Sequence, residues 1–308
     1  MEDFIVSISS IMIDDVIYSI GNMRFGNLGG ASLHAIAGCG VWDRFFGVIS
    51  SVGKDFKSYS SDLRHLNIDL QAIQILQEKT TRAWEIYQHG NQRVMVFQDP
   101  EIGIVQPIPD FEILPRKYQK AKGYHILWNG DNQDLIRTLE WIRKNNPETV
   151  IALEPSRVNV HQSFDFYKHL FPLIDVFSPG LSEISISGIQ TDLGRIFSWF
   201  MEQGCKRLVL RMGSDGSIGA EQTDRFIKVP AVKTHVTDVT GAGNAYLGGL
   251  LSGLAGKLSL EESMAMGSVS AGFKVQTFGL CRFHENMILE RDEFLREVLE
   301  GINLVNSL

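Results

Sequence analysis

Along the 308 residues, short apolar runs alternate with longer stretches in which apolar residues recur every three or four positions. The first kind reads as buried strand and the second as amphipathic helix. Residues 4–9 form the first such strand pattern, and the Gly29–Gly30 pair breaks the chain before a run from Ala31 that predicts a tightly packed, small-residue helix. Residues 46–50 predict a second strand leading into a loop at Gly53, after which Tyr59, Leu63 and Leu66 have helical spacing. From Tyr124 the alternation is regular. Strands are predicted at 125–129, 149–155, 175–179 and 207–213, and helices at 132–145, 164–174 and 192–204. Such alternation implies an α/β fold of three layers, a mostly parallel sheet with helices on both faces.

Residues 80–98 interrupt this rhythm. Two runs rich in β-branched and aromatic residues flank His89-Gly90-Asn91, which predicts a hairpin. The expectation is a single domain over 1–308 with a small β lid drawn from about 15–28 and 80–98. Trp84, Tyr87 and Phe97 on that hairpin either cover a ligand or a partner subunit, or pack the lid onto the body. A homodimer through the lid is one expectation.

Composition narrows the partners more than the fold. The chain is 44% hydrophobic and 21% charged, ordinary for a globular protein. A net charge of −7 argues against nucleic acid or an anionic membrane as the main partner. It leaves a nucleotide open, because a phosphate site needs only local N–H groups and a cation. Cys39, Cys205 and Cys281 have no zinc or redox spacing, so reduced thiols are expected. No apolar run reaches the roughly eighteen residues of a membrane span. Glu2, Asp3, Asp14 and Asp15 punctuate the apolar start and no basic region precedes it, unlike a signal peptide. A soluble, cytoplasmic protein is expected, with nuclear access left open.

The candidate chemistry centres on VTDVTGAGNAYLGGLLSGL, residues 236–254. Gly241 and Gly243 allow close backbone approach, and the helix that follows offers unpaired N–H groups and a positive dipole end to an anion. The plainer reading is a turn that merely lets a helix pack closely. Asp238 and Thr240 add oxygens that could hold a cation or orient the loop.

Asp238-Val239-Thr240-Gly241-Ala242-Gly243-Asn244 resembles the D-T-x-G-A-G-D signature of the PfkB family, the ribokinase-like carbohydrate kinases. Other segments resemble the family in order along most of the chain. Asp14, at the end of the first strand, matches its substrate-binding aspartate, and Gly29-Gly30 its N-terminal signature, with His34 where that signature has asparagine. The stretch at 50–56 is similar to its G-x-D segment. Pro179-Gly180 to Glu183 is similar to P-N-x-x-E, and Arg211 to Gly216, through Gly213, to the T-x-G-x-x-G nucleotide turn. Residues 276–279, ending in Gly279, resemble its last nucleotide-side loop.

The resemblance implies a ribokinase-like fold and ATP-dependent phosphoryl transfer to a small-molecule hydroxyl. Gly241, Ala242 and Gly243 would form the anion hole. Asp14, Gly29, Gly30 and His34 would bind substrate, and Arg211, Gly213, Gly216, Gly243 and Gly279 nucleotide. Mg²⁺ would be held through water by Glu183, and K⁺ by Asp238 and Thr240. The GG and GAG-Asn pattern is also similar to the fungal branch linked to killer-virus maintenance.

Five departures fall on this site: Asn244, Val239, Gly180, Arg211 and His34. Asn244 stands where the family has its general base, and an amide has no useful proton affinity near neutral pH. An aspartate at 244 would be expected to raise activity. Three readings follow: a kinase of a sugar, nucleoside or other alcohol with weakened transfer, a silent binder of nucleotide or sugar, and an interaction protein with a vestigial pocket. The chemistry at 244 favours binding over efficient catalysis. Two further features keep their alternatives here. Asp14 is favoured over Asp15 to face the pocket, and Glu154 ends a central strand with no role assigned.

Overall fold

A computed structural model of the chain describes residues 4–18, 21–42, 45–63, 66, 68–88, 93–99, 103–155, 164–184 and 192–308. The strands of its first half are β1 (Phe4–Ile8), β2 (Met12–Ile17), β3 (Met23–Gly29), β4 (Phe45–Gly53), β5 (Ile68–Gln77), β6 (Arg82–Tyr87) and β7 (Arg93–Phe97). Those that follow are β8 (Gly123–Leu127), β9 (Val150–Glu154), β10 (Val176–Phe177), β11 (Leu208–Arg211), β12 (Ser217–Gln222), β13 (Arg225–Val229) and β14 (Asn303–Val305). The main helices are α1 (Ala31–Gly40), α2 (Asn132–Asn145), α3 (Leu193–Glu202), α4 (Ala242–Ala255), α5 (Leu260–Val275) and α6 (Ile288–Glu300).

Ten strands form the large sheet in the order β5-β4-β1-β8-β9-β10-β11-β12-β13-β14. The pairs from β5 to β11 are parallel, and the last three strands are added antiparallel. Neighbouring residues on one strand face opposite layers. Val6, Ile126, Leu153 and Phe177 pack with Leu139 of α2 and Phe197 of α3. Ile5, Val48, Ala152 and Val176 pack with Leu33 of α1, Leu247 of α4 and Phe273 of α5. Burial on both faces is why these strands read as continuous apolar runs, each large side chain contributing about 1.5–3 kcal/mol. β1 pairs with β4 on one side and β8 on the other, so the chain runs outward in both directions from β1. That switch leaves a crevice at the strands' carboxyl ends.

The second sheet is small, in the order β3-β2-β6-β7. β6 and β7 form an antiparallel pair over 82–97, while the turn expected at His89-Gly90-Asn91 lies outside the described residues. Strand alternation divides its faces. Asp14, Glu85, Tyr87, Arg93 and Met95 line a cleft, whereas Met23, Phe25, Trp84, Val94 and Val96 are exposed on the opposite face.

Two expected helices differ. Residues 54–63 form two 3₁₀ turns, and β5 begins at Ile68, so the spacing of Tyr59, Leu63 and Leu66 belongs to an irregular connection rather than a helix. Residues 164–173 likewise form two 3₁₀ pieces, because Pro172 cannot donate in a continuing α-helix.

The small residues of α1, α4 and α5 serve backbone-to-backbone packing. A Cβ on Gly38 would collide with the Ala245 carbonyl, and one on Gly248 with the Ala35 carbonyl. A Cβ on Gly249 would lie 2.5 Å from the Met266 carbonyl of α5. Gly248→Ala is therefore expected to cost about 1–3 kcal/mol, as overpacking does. Urea unfolding with an unchanged slope and a lower midpoint would show it; an unchanged midpoint would mean the helices separate freely.

Candidate functional site

The cleft, about 320 Å³, lies at the carboxyl ends of the parallel strands and is roofed by the inner face of the small sheet. One wall is the start of α4. Gly241 is its N-cap, with φ of 76° in the left-handed region that glycine tolerates. The His34 ring lies directly against it, where any Cβ on residue 241 would sit. Likewise the Arg211 guanidinium occupies the space beside Gly243. Gly241 is thus required by its own backbone and by the ring beside it, whether or not an anion binds, whereas a Cβ on Gly243 would displace only the flexible end of Arg211.

Glu154 organises the floor. It closes β9, is 2% exposed and accepts at 2.5 Å from Asn244 Nδ2 and at 2.8 Å from His125 Nε2 through Oε1. Its Oε2 lies 3.0 Å from Arg211 Nη1. Burial pushes the carboxyl up, but Arg211, His125 and Asn244 together hold it below the usual range. His125 Nδ1 is 2.8 Å from Ser7 Oγ, so the buried chain of polar groups continues beneath β1. Arg211 also reaches Glu183, Nη2 to Oε2, at 3.5 Å. Glu183 curls back to accept the Gly180 N–H at 2.7 Å; a Cβ on Gly180 would lie 3.2 Å from that same oxygen.

A divalent cation needs several hard oxygen donors. Glu154 and Glu183 are instead bridged by a guanidinium, and among the described residues no group of three His, Cys, Asp or Glu side chains is placed to hold a metal. This donor set does not fit a protein-held Mg²⁺.

At the other end Asp14 faces the cleft, whereas Asp15 points to the far face and pairs with Arg82 at 2.8 Å. Burial, then repulsion from Glu85, pushes the Asp14 carboxyl from its ordinary 3.8 to about 7, against the pull of Arg93 and the Gly30 N–H. Arg93 itself pairs with Glu85 at 3.2 Å. His34 Nε2 is 4.0 Å from Asp14 Oδ2, and neither ring nitrogen has a hydrogen-bond partner. Burial and the charge of Lys274 hold this imidazole at about 3, hence neutral, against the opposing effect of Asp238. Two buried, hydrogen-bond-hungry nitrogens beside a carboxyl suit a hydroxylated ligand.

The small sheet is latched to the α4 loop. The Tyr87 hydroxyl lies 2.7 Å from Thr240 Oγ1, and Tyr18 stacks on Tyr87 and meets the edge of Phe278. Asp238 sits behind the loop, accepting from the Thr240 N–H at 2.9 Å.

Of the residues singled out in the sequence, Asp14, Gly30, His34, Glu183, Arg211, Thr240, Gly241, Gly243 and Asn244 line the cleft. Gly29 backs Asp14, and Ala242 and Asp238 stand just behind the wall. Gly213 and Gly216 form the β11–β12 hairpin turn outside the lining, and Gly279 likewise stands apart, its N–H 3.3 Å from Asp238 Oδ2. Glu85, Arg93, His125 and Lys274 were missed. The period-2 pattern of 85, 87, 93 and 95 carried a signal for the first two; nothing local marks the others.

Residues 3–286 match the family described as pfkB family carbohydrate kinase. A cytidine kinase of Thermococcus kodakarensis is 25% identical over 268 residues, 85% of this chain and 92% of that protein. Among solved structures, a Methanocaldococcus jannaschii nucleoside kinase of the ribokinase family superposes with a TM-score of 0.71 at 20% identity, covering 96% of this chain and 99% of that one. A ribokinase from Cryptococcus neoformans in complex with ADP gives 0.75 at 14% identity, with 94% and 100% covered. At these identities the two structures show the ribokinase-like fold.

The raised Asp14 sets a pH dependence. The folded state holds this proton more tightly than the unfolded chain, so its contribution is full below about pH 4 and is lost as pH rises through about 7. Asp14→Asn should therefore be more stable than wild type at pH 8, by up to about 4 kcal/mol, and no more stable at pH 4. Denaturant unfolding at the two values checks it, and an equal difference at both would refute a buried, proton-hungry Asp14.

Proposed function

Since the chain belongs to the pfkB family of carbohydrate kinases, we propose that it binds a nucleotide and a small hydroxylated ligand, a sugar or nucleoside, with transfer weak or lost. The carrying observation is the contact from Asn244 Nδ2 to Glu154 Oε1 at 2.5 Å. The side chain at the head of α4 is a donor locked onto a carboxylate. Its amide oxygen can accept a hydrogen bond but has no useful proton affinity near neutral pH, and a general base commonly contributes about 10²–10⁴-fold. Glu154 is a poor substitute, because three donors occupy it and hold its proton affinity below that of an ordinary carboxylate.

Binding is a separate matter from transfer. The first turn of α4 still presents backbone N–H groups and a dipole to a phosphate. His34 and Asp14 offer partners for hydroxyls at the opposite end of the cleft. The ADP of the ribokinase neighbour and the substrates named for the cytidine and nucleoside kinases supply the ligand classes. ATP would enter as in those relatives, with any Mg²⁺ carried by its phosphates rather than by this chain. The exposed apolar face of the small sheet supports a homodimer as a further part of this reading.

An aspartate at 244 alone no longer promises a gain. It would face Glu154 at hydrogen-bond distance, and two carboxylates that close cannot both ionise. The double variant Asn244→Asp, Glu154→Gln removes that conflict. Thermal unfolding should rise with ADP or ATP in wild type. In single-turnover assays across sugars and nucleosides, the double variant should exceed wild type by about 10-fold or more, and Asn244→Asp alone should not. Brisk wild-type turnover would sink the proposal of lost transfer; no stabilisation by any nucleotide would sink that of binding.

A further inference from the structure

Behind the α4 loop, Lys274 is 0% exposed at the end of α5. Its ammonium meets three oxygens: the Asp238 carbonyl at 3.1 Å, Asp238 Oδ2 at 3.4 Å and the Thr277 carbonyl at 3.1 Å. An ammonium has three donors and no acceptor, so this cage matches it one for one. The cage is fixed by backbone. The N–H groups of Thr237 and Asp238 both donate to the Val275 carbonyl, at 2.7 and 3.1 Å, and the Thr277 N–H donates to the Lys274 carbonyl at 3.2 Å. Asp238 then passes the constraint on, accepting from the N–H groups of Thr240 and Gly279.

We propose that the Lys274 ammonium is a built-in monovalent cation that holds the 238–244 loop, so that this protein has no site for a dissociable K⁺ or Na⁺ there. The sequence assigned K⁺ to Asp238 and Thr240; the Thr240 hydroxyl is paired with Tyr87, and the Asp238 carboxylate and carbonyl face Lys274. The Asp238 oxygens are already satisfied by a single covalently tethered charge of the same sign and magnitude. A potassium ion could not enter without expelling the fully buried Lys274 side chain. Burial pushes the Lys274 pKa down and Asp238 pulls it up, as for any buried ammonium kept by one carboxylate.

The inference goes beyond the proposed function and is tested with no nucleotide or substrate present. Thermal unfolding is compared in KCl, NaCl and choline chloride at one ionic strength, about 150 mM. Wild type should unfold at the same temperature in all three. Lys274→Ala vacates the cage and leaves the Asp238 carboxylate buried and unpaired, so its midpoint in choline should fall by on the order of 10 °C. Potassium, but not choline, should then restore part of that loss with a saturable dependence. Lys274→Met fills the space without charge and should not be rescued. Saturable stabilisation of wild type by K⁺ would overturn the proposal, as would a folded Lys274→Ala protein no more responsive to K⁺ than wild type. If both variants fail to fold, the wild-type titration alone decides.

Discussion

The site depends on one buried carboxylate. Glu154 lies at the end of a central strand, where a charge without partners would cost several kcal/mol. It recruits donors from three separate elements, His125 on β8, Arg211 on β11 and Asn244 on α4. This requirement fixes the head of α4 against the sheet and pulls the Arg211 guanidinium beside Gly243. Two of the departures from the kinase signature, Asn244 and Arg211, are therefore one feature. Each is a donor to the same acid, and replacing either by a family-like residue would unbalance the other.

The cleft is polarised along its length. At the Glu154 end the charges are paired through Arg211, although Arg211 Nε and Asn129 Nδ2 are left without a hydrogen-bond partner. At the Asp14 end the matching is incomplete: His34 has two idle nitrogens, and Asp14 and Glu85 both draw on the Arg93 cation. A ligand's hydroxyls would complete that end. The latch between Tyr87 and Thr240 ties the two ends together, because the strand that presents Glu85 also touches the anion loop.

Much of the large sheet was legible, since its strands are buried on both sides and its helices carry plain amphipathic spacing. Asn132–Asn145 is the clearest case, with an Asp131 cap and four inward-facing residues. The stretches that failed were those without a period to read. Pro172 splits one apolar run, and the residues around Tyr59 form short 3₁₀ turns in the connection between β4 and β5. At the site, glycine-bounded motifs pointed to Gly241, Gly243 and Arg211 because their meaning is local. Glu154, His125 and Lys274 acquire theirs from neighbours 29 to 118 positions away, and no window of sequence displays that.

The helix trio of α1, α4 and α5 bears on how such a protein changes over generations. Its glycines touch backbone, and backbone cannot retreat by choosing another rotamer. Selection for folding alone would keep Gly38, Gly248 and Gly249, and the left-handed φ of 76° would keep Gly241. Such a cradle can therefore persist for structural reasons alone. Side chains pointing into the cleft are free to drift, whereas the mould around them is inherited as architecture. A glycine signature of this kind is a record of descent, and the side chains set within it are the record of present use.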